Sequence, residues 1–575
     1  MKHLIPYFKK YKLQSILAPL FKMLEACFDL AVPLIVASII DTGIASGDKG
    51  FIVSRFFLLI LMALLGLLSS FTAQFFAAKA AIGTATGLRH ELLEKVQSLS
   101  FSELDRIGKS TLITRMTGDI NQVQNGVNMF LRLFMRSPFI VFGAAILAFT
   151  VDKELALVFA GIIIILFVVV FGIMKITKPM HKKVQQGLDR VTEETAESID
   201  AVRVIRAFSR EETQKTRFKE ANGALLSRQL EVGRVSALLN PVTFVVVNTA
   251  IILVLWFGAR KTDSGLLLSG DIVALINYIG QILIELVKLA NLITLIARAI
   301  ASMDRVGQLL DTESTMEYGS ETKGDESADI ITFDKVSFAY EGAGAPSLSD
   351  ISFTVKKGET IGIIGGTGSG KSTLVHLISR FYDATDGEVL LKGKNIKTWQ
   401  KKALNGTVAL VPQKAMLFSG TVKSNLLRGN RNASDDELWQ ALEMSQAADF
   451  VREKDGGLDA KVEEAGKNLS GGQKQRLTIA RALVSKADII ILDDSASALD
   501  FATEAQLRKE LKKLHGEKTV FIVSQRTSSI AHADKILVLD DGLLAGSGDH
   551  ESLLASCEVY REIHESQFEK GGAAK

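Results

Sequence analysis

The chain has 575 residues, 47% of them hydrophobic, and 67 basic against 64 acidic side chains leave a formal net charge of +3. That length exceeds a single core and calls for several domains, while the near-neutral, unpatched charge speaks against a nucleic-acid partner. Only two cysteines are present, Cys27 in an apolar stretch and Cys557 near the C-terminus, so no disulfide framework is indicated.

The opening, MKHLIPYFKKYK, carries charge like a signal peptide. The apolar stretch behind it is longer than a signal core and lacks a small-residue cleavage site, so it reads as an uncleaved first span. Six apolar segments are expected to cross a bilayer, each near the roughly twenty residues required. They are Ile16–Ile40, Phe56–Ala78, Leu133–Phe149, Leu155–Ile176, Pro241–Ala259 and Ile272–Ala297. Cations collect before the first span (Lys2, Lys9, Lys10, Lys12), between the second and third (Lys79 to Arg115) and between the fourth and fifth (Lys182 to Arg210). The other turns are short and poor in cations. The positive-inside rule then puts both termini in the cytoplasm of a multi-pass protein of the cell membrane.

The two basic inter-span regions carry apolar stripes at helical spacing, as in Glu193–Phe208, and should extend the spans well beyond the membrane. Within the spans, Lys22, Glu25 and Asp29 share one face of the first, and Gln281, Glu285, Lys288 and Asn291 one face of the sixth. Charges at bilayer depth are costly, so they pair or face a cavity. Two readings stay open for Glu285: an i, i+3 pair with Lys288, or a place on a substrate path. The first-span set is expected to pair or to snorkel near an interface.

Residues 1–310 thus read as a membrane domain, and the acidic, glycine-bearing stretch 311–329 as a linker. Residues 330–575 read as an α/β nucleotide-binding domain. There, Gly365-Gly366-Thr367-Gly368-Ser369-Gly370-Lys371-Ser372 fits the phosphate-cradling loop GxxxxGK[ST], between the strand-like Thr360–Ile364 and an apolar helix start. The apolar run Ile489–Leu492 ends in Asp493 and Asp494, at the strand end where open α/β sheets place their chemistry.

Leu469–Gln473, LSGGQ, resembles the signature of ATP-binding-cassette (ABC) ATPases, and the other cassette marks fall in family order. The resemblance implies that Tyr340 stacks on adenine and that Gly365–Ser372 and Thr373 hold the phosphates of ATP. It implies Mg²⁺ at Ser372, Gln413 and Asp493, and a D-loop at Ser497–Asp500. Phe101–Asp119 and Ala201–Glu212 resemble the intracellular loops of ABC exporters, whose coupling helices dock on the cassettes, the second on the partner subunit. The implied fold is a polytopic α-helical membrane domain of six transmembrane helices with long cytoplasmic extensions, fused to an α/β P-loop cassette (type IV exporter).

Two positions depart from the family pattern. Where the family has the glutamate that polarises the attacking water this chain has Asp494, and where it has the switch histidine this chain has Gln525; His532 falls seven residues too late. The x-loop position keeps Glu464 but has Ala465 in place of arginine. Asp is one methylene shorter than Glu, and misplacing a general base can forfeit much of its roughly 10²–10⁴-fold contribution. With Ser470, Gly471, Gly472 and Gln473 intact, the chain resembles the degenerate subunit of heterodimeric bacterial ABC multidrug exporters. That implies a second half-transporter with Glu and His at the altered positions, a lipid bilayer and an amphiphilic small-molecule cargo. An importer subunit is disfavoured because the spans share a chain with the cassette. A regulatory ATP-binding protein, or an exporter of lipids or peptides, stays open.

Overall fold

The computed structural model describes residues 2–568. They form two compact units, one running to Gln97 and resuming over Ser110–Thr312, the other combining Ser98–Lys109 with the chain from Glu313 onward.

In the first unit six helices are long and apolar enough to cross a membrane: Lys12–Ile44, Lys49–Ser98, Lys109–Val151, Lys153–Asp200, Glu211–Asp263 and Ser269–Leu310. Each expected span lies inside one of them. Lys49–Ser98 has 50 residues, about 75 Å at 1.5 Å per residue, more than twice a bilayer core of about 30 Å. The turn between the third and fourth spans is locked by Asp152, whose Oδ1 accepts from the N–H groups of Glu154 and Leu155 at 2.9 and 2.8 Å. Lys261 at the end of the fifth span binds the same carboxylate at 2.7 Å. The third span is interrupted by a turn at Phe134–Met135. Pro138 has no N–H for the Phe134 carbonyl, and its ring crowds that turn. Buried alanines at 26, 144, 148, 250 and 274 let the helices approach closely.

The intramembrane charges are paired. Lys22 Nζ donates to Glu25 Oε2 at 2.5 Å and to Ser70 Oγ at 3.1 Å. Glu285 is buried, accepting from Lys288 Nζ at 2.9 Å and Ser137 Oγ at 2.7 Å. A third partner was not foreseen: Arg136 Nη1 donates to Glu285 Oε1 at 2.6 Å, while Nη2 reaches Asp29 Oδ2 at 2.8 Å. The expected pair of Glu285 with Lys288 is present, and the carboxylate is buried. The helix Val202–Ala207, between the fourth and fifth spans, buries no residue, and Val204 and Phe208 are 58% and 73% exposed.

Among the described residues, the second unit holds three sheets. Strands β1 (Ile331–Phe338), β2 (Leu348–Val355), β3 (Thr360–Gly365), β4 (Asp386–Leu391), β5 (Lys394–Asn395) and β6 (Val408–Val411) precede the short pair β7 (Gly420–Thr421) and β8 (Lys461–Val462). β9 (Ile489–Asp493), β10 (Thr519–Val523), β11 (Lys535–Asp540) and β12 (Leu543–Gly548) complete the set. One sheet runs β2-β1-β4-β5 and is antiparallel; the other runs β12-β11-β3-β10-β9-β6, parallel except for the edge strand β12. β9 and β10 are buried along their whole length, which is why they read as unbroken apolar runs. One face of the parallel sheet packs on the antiparallel sheet and the helix Lys371–Ile378, the other on the helices Gly471–Val484, Phe501–Lys512 and Glu558–Phe568. The three loops leaving β3, β10 and β9 emerge side by side at its C-terminal edge.

Candidate functional site

The loop after β3 owes its shape to glycine. Gly370 has φ +95, and a Cβ there would stand 2.7 Å from the Ser347 carbonyl. Gly366 and Gly368 have nothing within 4 Å of where a Cβ would be, so the loop forms an open cradle of backbone N–H groups. The helix Lys371–Ile378 starts directly behind it and adds its positive end. Lys371 Nζ folds into this cradle, donating to the carbonyls of Gly365 at 2.9 Å and Gly366 at 2.5 Å, with Ser369 Oγ at 3.4 Å. Burial holds its ammonium below the ordinary lysine pKa, against the pull of Asp494 and Asp493.

Ser372 Oγ donates to Asp493 Oδ1 at 3.2 Å, joining the two ends of β3 and β9. Burial pushes the Asp493 carboxyl up, opposed by the Ser372 hydrogen bond. Gln413, just past β6, donates through Nε2 to Asp494 Oδ2 at 3.1 Å. Asp494 is half-buried and its carboxyl is also raised by burial, while Gln413, Lys371 and Arg526 act to lower it. Its φ of +44 lies in the left-handed region, where aspartate is tolerated better than most side chains.

Thr373 is buried one residue on, and its Oγ1 meets the Tyr340 hydroxyl at 3.2 Å. Tyr340 packs edge-on against Phe338 and Tyr382, with centroids 4.9 and 5.2 Å away. The ring is therefore fixed beside the phosphate-loop helix.

Gln525 is exposed, one residue beyond Ser524, whose N–H donates to Ile363 at 3.0 Å. Its carbonyl accepts from Gln567 Nε2 at 2.8 Å, and Gln567 Oε1 accepts from the Thr527 N–H at 3.0 Å. The last described helix, Glu558–Phe568, thus clamps the loop that carries Gln525. Sequence reading missed Gln567, because nothing in its spacing ties it to β10. It also missed His376, placed four residues after Ser372 on one helical face, where burial lowers the ring's pKa against the pull of Asp493.

Ser470–Gln473 lies apart from this cluster: no hydrogen bond joins it to Gly365–Ser372 among the described residues. Ser470 caps the helix Gly471–Val484, accepting from the Gln473 N–H at 3.3 Å while Gln473 Oε1 accepts from the Ser470 N–H at 3.0 Å. Gly472 abuts the Ala498 carbonyl, within the stretch read as the D-loop. Glu464 is exposed, and Ala465 beside it has φ +55.

In the same unit, the helix Phe101–Ile107 is held by a capping box of Ser100 and Glu103. Phe101 stacks on Phe381 with centroids 4.4 Å apart, and Tyr382 donates to Asp105 Oδ2 at 2.5 Å. Glu103 Oε1 also accepts from Thr315 Oγ1 at 2.6 Å. The first of the two expected coupling segments is thereby seated on the Phe381–Val389 region of the cassette.

Residues 15–286 match the ABC transporter transmembrane region, and residues 348–497 match the ABC transporter family. An uncharacterized ABC transporter ATP-binding protein of Bacillus subtilis is 35% identical over the full length of both chains. A probable multidrug resistance ABC transporter ATP-binding/permease protein of the same organism is 34% identical, over 84% of each chain. An ATP-dependent lipid A-core flippase of Vibrio vulnificus is 28% identical over 99% of this chain and 98% of its own. The solved structure of a bacterial Atm1-family ABC exporter with ATP bound shares the fold at a TM-score of 0.80, 23% identity and 99% coverage of both chains. The chain belongs to the ABC transporter family, with a membrane domain and a nucleotide-binding domain fused in one polypeptide.

Proposed function

We propose that this chain is the degenerate half of a heterodimeric exporter, moving amphiphilic compounds out across the cytoplasmic membrane by alternating access. The observation that carries the reading is the pairing at the strand ends: Asp494, not glutamate, faces Gln413 after β9, and an exposed Gln525 follows β10. The open glycine cradle, Lys371 and the adjacent Tyr340–Thr373 pair fit ATP, and the Ser372–Asp493 pair with Gln413 nearby fits Mg²⁺. Bound there, Mg²⁺ would neutralise phosphate charge. The chain's own residues would bind and orient: Lys371 as a point charge, Gly366–Ser372 as N–H donors, Tyr340 at the base. Asp494 would stand back from a water that a glutamate would reach, so binding outlasts cleavage.

Ser470–Gln473, intact and apart from this chain's phosphate loop, would complete the site of a second half carrying Glu and His. The exposed apolar side chains of Val204 and Phe208 support such a partner. The helix they extend, Lys153–Asp200, is 48 residues long, so its tip stands well outside a bilayer core. The cation-rich loops favour cytoplasmic termini. The flippase relative keeps lipid-like cargo beside drugs as a second reading. Purified alone in nanodiscs, the chain should bind a fluorescent ATP analogue with Mg²⁺ yet hydrolyse ATP slowly. Brisk turnover as a homodimer would refute the reading.

A further inference from the structure

The Arg136 cluster sits inside the membrane. Arg136 opens the 16-residue helix Arg136–Val151, so it stands about 24 Å from the Asp152 turn. Glu285 lies about as far along its own helix from Ser269, and Asp29 about 20 Å from the first inter-span turn. Three helices therefore bring these groups to one depth in a core about 30 Å thick.

The charges balance: Lys22, Arg136 and Lys288 against Glu25, Asp29 and Glu285. The inner pair is closed off, with the Arg136 side chain 10% and the Glu285 side chain 4% exposed. The outer members are open, Asp29 at 46% and Lys288 at 43%. One accessible anion and one accessible cation thus flank a buried ion pair. Two buried polar atoms there make no hydrogen bond among the described residues, Arg136 Nε and Gln281 Oε1; the nearest carboxylate to Nε, Glu25 Oε1, is 3.8 Å away. A purely structural clamp gains nothing from an unmet donor and acceptor at its centre. Beside Lys288, one turn back, Ile284 is 54% exposed.

We propose that this cluster is a head-group site for a zwitterionic amphiphile. The cationic end sits at Asp29, the acidic end at Lys288, and the alkyl chain lies along Ile284. A ligand with a single charge would leave the balanced cluster carrying a net charge at bilayer depth, which is costly; a zwitterion adds none. The proposal rests on the exporter reading and names the cargo class for this half.

The test uses the full chain in nanodiscs and three dansyl-labelled single-chain probes of equal length: an alkyl phosphocholine, an alkyl trimethylammonium and an alkyl phosphate, each corrected for empty nanodiscs. The phosphocholine should bind about tenfold tighter than either singly charged probe, and phosphocholine without a chain about a hundredfold more weakly. Asp29→Asn should shift preference to the phosphate probe and Lys288→Gln to the trimethylammonium probe, each by about tenfold. Both residues are half-exposed, so the buried Arg136–Glu285 pair survives these changes. Equal binding of the three probes, or variants that weaken all three alike, would overturn the proposal and leave only a clamp. If the assembled transporter moves amphiphiles while the probes bind alike, the exporter reading stands and the head-group site falls. Selective binding without transport of any amphiphile would instead remove the exporter reading alone.

Discussion

Gln413 Nε2 donates to Asp494 Oδ2 across 3.1 Å, linking the loop after β6 to the carboxylate that ends β9. The bond engages one oxygen of a short side chain whose backbone is already left-handed, at φ +44. Glutamate adopts that conformation less readily than aspartate, at a cost on the order of 1 kcal/mol. Asp494→Glu with Gln525→His should therefore raise hydrolysis at this site and lower thermal stability slightly. Asp494→Asn should keep the fold and remove the residual hydrolysis. Calorimetry together with a phosphate-release assay checks both.

Gln567 holds the loop from outside, donating to the Gln525 carbonyl and accepting from the Thr527 N–H. Gln567→Ala should cost about 1 kcal/mol locally, read as faster amide exchange at Thr527. Gln567→Glu keeps the acceptor but loses the donor, so exchange should rise less. Equal effects of the two changes would show that the acceptor contributes nothing.

The helix Phe101–Ile107 depends on Glu103. Burial works to raise its carboxyl, but hydrogen bonds from Ser100 and Thr315 outweigh that and hold it below the ordinary range. A depressed carboxylate contributes stability above its unfolded pKa of about 4.3, and loses it as pH falls through the lower folded value. Exchange protection of Phe101–Ile107 should therefore be full at neutral pH and fade below about pH 4. Glu103→Gln should abolish that pH dependence.

Phe101 carries the docking contact itself. Phe101→Ala removes a stacked pair worth about 0.5–1.5 kcal/mol beyond its burial. In the assembled transporter it should spare basal ATP hydrolysis and reduce cargo-stimulated hydrolysis severalfold. Loss of both in equal measure would point to misfolding instead of uncoupling.

The phosphate loop, the paired carboxylates and the Gln413 position were legible because each follows an apolar strand of one parallel sheet. The six spans were legible for a similar reason, since length and hydropathy alone define them. Arg136 was not, although it lies within the expected third span, because its partners Asp29 and Glu285 are remote in sequence. Local i, i+3 spacing offered Lys288 as a sufficient partner for Glu285, and Lys288 is indeed bound. The break before Arg136 could have been read from Pro138. Gln567 gave no signal at all, since a glutamine on a polar C-terminal helix looks like any solvated residue.

The central claim is that this chain binds ATP at a slow site while its partner's site turns over. Lys371→Ala here should weaken nucleotide binding but only reduce total hydrolysis. The most direct measurement is ATP hydrolysis by the assembled pair with the partner's catalytic glutamate changed to glutamine. The account predicts that turnover nearly vanishes, because Asp494 cannot sustain it. Near-wild-type turnover in that pair would contradict the account and establish Asp494 as a working base.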